Sequence, residues 1–102
     1  MPIVVHGVAS VRPEMLDALR VAATRMSEAS RGEPGCSYYR FSVDLDDPTM
    51  LILAEEWDSE EALEKHMATP TFAEFSAVFA RAIAGPPEFR RFNAEDAQPL
   101  FG

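Results

Sequence analysis

A four-stranded antiparallel sheet with helices packed on one face, strung as β-α-β-β-α-β, is the α+β fold this sequence predicts. Three observations lead there. Short β-branched or aromatic runs stand near both ends of the chain and as an adjacent pair in its middle. Between them lie stretches whose apolar residues recur every three or four positions, the helical period. Turn and cap chemistry fills the gaps where such a chain needs it.

The elements follow in order. Ile3 to Ala9 (IVVHGVA) is short, β-branched and apolar, which suits a strand buried on both faces. Pro13 fits the first turn of a helix. From there Met15, Leu16, Leu19, Ala22, Ala23, Met26 and Ala29 form one stripe, with charged residues opposite. Arg31-Gly32-Glu33-Pro34-Gly35 stops this helix, with Gly32 placed as a left-handed cap. Cys36 to Val43 (CSYYRFSV) and Met50 to Trp57 (MLILAEEW) read as strands, and the acidic turn between them makes an antiparallel hairpin. Asp58 caps the next helix, with Glu61 three residues on to complete a capping box. Pro70 cannot continue that helix, so Thr69-Pro70 starts another, with Phe72, Phe75, Val78, Phe79, Ala82 and Ile83 on one stripe. Gly85-Pro86-Pro87 ends it. Glu88 to Ala94 forms the last strand.

This order is the ferredoxin-like, split βαβ arrangement in a single domain over residues 1–102. One face of such a sheet carries the helices, and the other should be polar if it meets water. Here residues of both parities are apolar in the first and third strands: Ile3 and Val5 with Val4 and Val8, Leu51 and Leu53 with Met50 and Ile52. A bare apolar face of that size is rarely left exposed. A second copy of the same sheet is the simplest cover, so a homodimer enclosing a barrel is expected. The tail over residues 93–102, which ends in Leu100-Phe101-Gly102, is expected to dock on the partner subunit.

Composition narrows the function. Of 102 residues, 47% are apolar and 25% charged, normal for a globular protein. The net charge of −8, nine basic against seventeen acidic residues, disfavours nucleic acid and anionic membrane, both of which want a basic stripe. No run reaches the ~20 apolar residues of a membrane span, and the start lacks the pattern of a signal peptide, so a cytoplasmic protein is expected. The lone Cys36 permits neither an internal disulfide nor a multi-cysteine metal site. His6 and His66 lie far apart without metal-ligand spacing, so no metal is expected. Phosphate-binding glycine loops and nucleophile elbows are absent, and no cofactor is expected.

The densest chemistry lies in AEEWDSEEALEKHMATPTF, residues 54–72. On a helix Ala62, Leu63, His66 and Met67 share one arc, while Glu60, Glu61, Glu64 and Lys65 face water. His66 therefore points inward, where a desolvated imidazole can accept a proton. Glu55 and Glu56 are candidates to hold its other ring nitrogen. A satisfied core histidine is the competing reading. His6, Tyr38, Tyr39 and Arg40 are the other polar groups on apolar strands, and their convergence depends on a register that sequence does not fix. Arg90 and Arg91 are adjacent on a strand and so face opposite sides.

Glu33-Pro34-Gly35-Cys36, Tyr39, Asp46-Asp47-Pro48, Glu55-Glu56-Trp57-Asp58-Ser59-Glu60-Glu61-Ala62-Leu63, His66, Pro70 and Phe72 together resemble the antibiotic biosynthesis monooxygenase (ABM) family. The resemblance implies a dimeric α+β barrel with a pocket between helices and sheet. It also implies oxidation of an electron-rich dihydroxy-aromatic, a quinol or polyketide-like substrate, by O₂ without flavin, haem or metal. Such chemistry needs an apolar cavity, a base and an oxyanion partner. On that likeness His66 is the catalytic base. Tyr39, Trp57, Phe72 and Phe75 are the substrate-binding wall, and His6 or Arg40 is the oxyanion partner. The family fold also carries haem-degrading enzymes, but the matching places hold His6, His66 and Ser76, without the axial histidine. Two further readings stay open: an isomerase of phosphorylated sugars using Arg40, Arg90 or Arg91, and a non-enzymatic small-ligand-binding or stress-response dimer.

Overall fold

The computed structural model describes residues 1–101. Its elements are β1 (Ile3–Ser10), α1 (Leu16–Arg31), β2 (Cys36–Val43), β3 (Met50–Trp57), α2 (Glu60–Met67), α3 (Pro70–Ala82) and β4 (Glu88–Asn93). The strands form one antiparallel sheet in the order β2-β3-β1-β4, the ferredoxin-like arrangement, with three helices. Asn93, where the expected strand and the expected tail overlapped, belongs to the strand and closes β4 by pairing with Ile3. No helix among the described residues is long and apolar enough to cross a membrane.

Local chemistry explains most boundaries, with two corrections. A single 3-10 turn, Pro13–Met15, precedes α1, its fixed proline φ suiting the entry. Gly32 at the end of α1 is right-handed, with φ −91°. The left-handed residue is Gly35, at φ +83°. A Cβ there would lie 2.6 Å from the Ala62 Cβ, so the Glu33-Pro34-Gly35 turn presses directly on α2. The cap of α2 is Ser59, whose hydroxyl accepts from the Ala62 amide, rather than Asp58. Asp58 instead accepts from the Ser37 hydroxyl at 2.9 Å, tying β3 to β2. Thr69 caps α3 as expected, accepting from the Phe72 amide.

The core lies between helices and sheet. Ile3, Leu51, Leu53, Tyr39 and Trp57 from the strands meet Leu19, Ala23 and Met26 of α1, Leu63 of α2, and Phe75 and Ala82 of α3. The inward stripe of α1 is rotated slightly from the expected one. Ser27 and Ser30 are buried, while Ala29 is exposed. Met67 of α2 likewise sits at the edge of the inward arc, 38% exposed.

Register assigns every strand residue to a face. Glu55 is buried beneath the helices and pairs with Val5 and Tyr39, and Val5 pairs with Arg91. Those residues therefore share the helix face. The row one step along, Arg40–Ala54–His6–Arg90, belongs to the opposite face. On that open face Val4, Val8, Met50, Ile52 and Ala54 are half-buried within the single subunit. His6 stacks on Phe92 with centroids 5.3 Å apart, and Arg90 lies over the same ring at 4.9 Å.

Candidate functional site

The site grows from one turn and one helix. Gly35 lets the turn after α1 close onto α2, and the Asp58 amide donates to the Gly35 carbonyl at 2.8 Å, fastening the turn to the end of β3. That closure carries the Glu33 carboxylate to the inward side of α2. There His66 Nδ1 lies 2.9 Å from Glu33 Oε1. A carboxylate oxygen accepts, so Nδ1–H donates to it, and whenever the ring carries a single proton its lone pair is then on Nε2. Ser30 Oγ stands 3.5 Å from the same Nδ1.

Nε2 faces the sheet, 3.5 Å from the Tyr39 hydroxyl and 4.0 Å from Glu55 Oε1. The imidazole is 2% exposed and wedged between rings: Trp57 at 4.7 Å, Tyr39 at 5.3 Å and Phe72 edge-on at 5.3 Å. Glu55 is held in turn by Trp57, whose indole N–H donates to Oε1 at 2.7 Å. That bond leaves the second oxygen of Glu55 without a protein partner among those described.

A cavity of about 290 Å³ opens beside these groups. Leu53, Phe72, Phe75 and Phe79 line it together with Tyr39, Glu55 and His66. Phe89 reaches the cavity across Gly7, its cross-strand partner, because only hydrogen occupies that position. A larger groove of about 710 Å³ runs between α1 and β2, but arginines are its only titratable lining groups. The buried titratable groups gather at the smaller cavity.

Burial sets the electrostatics. Desolvation raises the Glu55 pKa above the ordinary carboxyl value; the Trp57 N–H and the His66 charge pull it back in part, and the Glu33 charge adds to the rise. The Tyr39 phenol is raised well above its usual range, first by burial and next by the Glu55 charge, so it is a neutral hydroxyl at physiological pH. Burial also raises the Cys36 thiol, the opposite of what a nucleophilic cysteine needs.

Of the residues singled out on sequence, the structure brings His66, Tyr39, Phe72 and Phe75 to one cavity. Trp57 does not line it; it lies behind, fully buried, and holds Glu55. His6 and Arg40 are corrected outright, because strand parity sends both to the open face. Arg40 then folds over the sheet edge, its Nη1 donating to the Tyr39 carbonyl at 3.0 Å beside Arg31 at 3.1 Å. Of the two carboxylates offered as partners for His66, Glu56 is exposed on the open face and Glu55 stands near Nε2; the Nδ1 partner is Glu33. Glu33 and Ser30 are neighbours of the His66 ring that sequence missed. The signal for Glu33 was the tight Pro-Gly turn after it, which marks a sharp approach but not its target. Arg91 reaches the cavity rim and pairs with Glu60 at 3.2 Å.

A model of the antibiotic biosynthesis monooxygenase family matches residues 2–78. A Synechocystis protein described as uncharacterized is 32% identical over 99 residues, spanning 97% of this chain and 67% of that protein. Among solved structures, Rv0793 from Mycobacterium tuberculosis superposes with a TM-score of 0.89 at 25% identity, covering 97% of this chain and 100% of the other. A Deinococcus radiodurans protein named for the same monooxygenase family superposes with a TM-score of 0.88 at 26% identity, covering 98% and 99%.

Proposed function

This chain belongs to the antibiotic biosynthesis monooxygenase family, and on that footing we propose that it oxidises an electron-rich dihydroxy-aromatic with O₂, the substrate supplying the electrons. One observation carries the reading: a buried imidazole, fixed through Nδ1 by Glu33, turns Nε2 toward an aromatic-lined cavity of about 290 Å³. That volume is at the small end of ligand pockets and suits one or two fused rings.

The chemistry runs in four steps. His66 Nε2 takes a phenolic proton, and the resulting anion passes one electron to O₂. The radical pair combines at a ring carbon that bears hydrogen, forming a C–O bond and a peroxide. His66 returns its proton to the outer peroxide oxygen. The O–O bond breaks as the carbon loses its hydrogen, leaving C=O and water. In the keto tautomer the net change is CH₂ plus O₂ to C=O plus H₂O, so one oxygen enters the product. Glu33 stabilises the imidazolium between steps, and the phenylalanines exclude water from the peroxide.

The active unit is a homodimer joined through the open sheet face, with Val4, Val8 and Ile52 at its centre. Leu100 and Phe101, fully exposed on one subunit, dock on the partner; Gly102 lies outside the described residues. An Ile52→Asp variant sedimenting as the same dimer would refute that assembly. A haem-degrading role is disfavoured by Ser76, which lines the cavity at the place where the family resemblance asks for an axial imidazole. Sugar-phosphate isomerisation is disfavoured because Arg40 leaves from the open face, Arg90, which borders the cavity, lays its guanidinium over Phe92, and Arg91 pairs with Glu60.

Oxygen uptake with a panel of hydroquinones and naphthalenediols in chelator-treated buffer tests the activity. At least one should be consumed with a quinone as product, and His66→Ala should lose about 10²–10⁴-fold in rate. Full turnover by His66→Ala on such a substrate would remove the base assignment.

A further inference from the structure

His66 and Glu55 set two hydrogen-bond acceptors side by side at one end of the cavity. Nε2 lies 4.0 Å from Glu55 Oε1, too far for the two groups to bond each other, and both residues line the cavity. From this pair we infer that the site selects vicinal dihydroxy-aromatics: one hydroxyl gives its proton to His66 Nε2 while its ortho neighbour donates a hydrogen bond to the Glu55 carboxyl. The inference deepens the proposed function and rests on its reading of the cavity as a phenol site.

Three features carry it. The first is spacing. Ortho hydroxyl oxygens are about 2.7 Å apart, so each can meet its own acceptor when the acceptors stand as these do. Hydroxyls across a ring are about twice as far apart and cannot engage both. The second is acceptor capacity. A carboxyl offers two oxygens and about four lone-pair sites. The Trp57 N–H fills one of them at 2.7 Å and fixes the group's orientation. A carboxylate keeps the others free, and a protonated acid still accepts, so the pairing does not depend on the charge of Glu55. On the other side the Tyr39 hydroxyl is 3.5 Å from Nε2, longer than a firm hydrogen bond, and leaves that lone pair to the ligand. The third is the rest of the lining. Beyond this end the wall is mainly Leu53, Phe72, Phe75 and Phe79, with Ser76 and the rim arginines as polar exceptions. Arg91 is taken by Glu60, and Arg90 lies over Phe92. A hydroxyl remote from the first therefore meets mostly phenylalanine, and stranding its donor there costs affinity.

Proton transfer balances within the pair. The O–H bond of the first hydroxyl breaks as Nε2–H forms, so phenolate and imidazolium arise together. The imidazolium N–H then covers the oxyanion, which His6 and Arg40 cannot reach from the open face. The second hydroxyl keeps its proton and stands between the oxyanion and the Glu55 carboxyl, which neither gains nor loses one. O₂ is the sole oxidant and acts after this step.

Binding under argon, read by naphthol fluorescence, separates recognition from turnover. Naphthalene-2,3-diol is the vicinal probe; 2-naphthol lacks the second hydroxyl, and naphthalene-2,7-diol carries it on the far ring. Wild-type protein should bind the 2,3-diol about tenfold or more tighter than either of the others, the effect of one buried hydrogen bond. Glu55→Ala should bring the 2,3-diol to within about threefold of 2-naphthol. Its affinity for 2-naphthol should stay within about threefold of wild type, which also shows that the variant is folded. The wild-type ranking needs no variant and decides the vicinal preference by itself. Three results would overturn the inference: equal binding of the 2,3-diol and 2-naphthol, a 2,7-diol as tight as the 2,3-diol, or a Glu55→Ala protein that keeps the full preference. If the preference holds yet no diol takes up O₂, the vicinal site stands and the oxygenase reading fails. Oxygen uptake without the preference keeps the proposed function and removes this inference.

Discussion

Replacing Glu33 by alanine removes the acceptor 2.9 Å from a buried Nδ1–H. With His66 only 2% exposed, water reaches that nitrogen only if the Glu33-Pro34-Gly35 turn lifts from α2. A hydrogen bond to a charged group contributes about 1.5–3 kcal/mol, and stranding its buried donor costs a similar amount. Two features pull the figure down: the Glu33 side chain is 19% exposed, and Ser30 Oγ waits 3.5 Å from the same nitrogen. A loss of about 1–2 kcal/mol is expected. With a urea m-value of about 1–1.5 kcal/mol per molar for a chain of this size, the unfolding midpoint should fall by about 1 M. Glu33→Gln keeps an amide oxygen for the same N–H and should lose less than half as much. In oxygen uptake, Glu33→Ala should lower kcat by about tenfold to a hundredfold, a share of what a general base supplies, with KM little changed. An alanine variant with native midpoint and native kcat would refute the pairing as both a structural and a positioning contact.

Two further outcomes follow from the same geometry. Gly7→Ala places a Cβ into the Phe89 ring and 2.7 Å from the Glu88 carbonyl oxygen, so backbone as well as side chain must yield. A cost of about 1–3 kcal/mol is expected from such overpacking, lowering Tm by roughly 5–15 °C; a Tm within about 2 °C of native would show that β4 moves freely. Glu55 provides a pH test. Its folded pKa is raised above the reference value of 4.5, so the native state holds a proton that the unfolded chain releases first. Stability is unaffected by this group below about pH 4.5 and falls as pH rises from there through the folded pKa. Urea midpoints of Glu55→Gln should therefore gain on wild type across that rise, and a constant difference from pH 4 to 8 would contradict the raised pKa.

Much of the fold was legible because each element carried its own periodicity and punctuation. Thr69-Pro70 marked the start of α3 to the residue, and the strands of the central hairpin fell at Cys36–Val43 and Met50–Trp57 as read. The inward turn of His66 was legible too, since helical geometry fixes which neighbours share its face. What could not be read was anything that depends on two distant segments meeting. Gly32 and Gly35 are equally able to adopt positive φ, and only the approach of Ala62 selects Gly35. Asp58 and Ser59 are both competent caps. Asp58 went to Ser37 because the strand pairing places that hydroxyl within reach.

His6 and Arg40 failed for a single reason, and it bears on how the site is built. In a strand, parity is absolute: one buried anchor fixes every other residue on it. Glu55 is that anchor, and its pairs Val5 and Tyr39 carry the assignment across three strands, sending His6 and Arg40 to the face away from the cavity. The sheet thereby separates two jobs. The buried titratable groups lie beneath the helices, while the half-buried apolar residues Val4, Val8 and Ile52 lie on the far side. Both central strands serve both: β1 turns Val5 to the cavity side and Val4 and Val8 outward, and β3 turns Glu55 and Trp57 inward and Ile52 and Ala54 outward. Any coupling between assembly and the cavity must therefore pass through these two strands, and on β3 a shift that repacks Ile52 also moves the carboxyl that Trp57 holds.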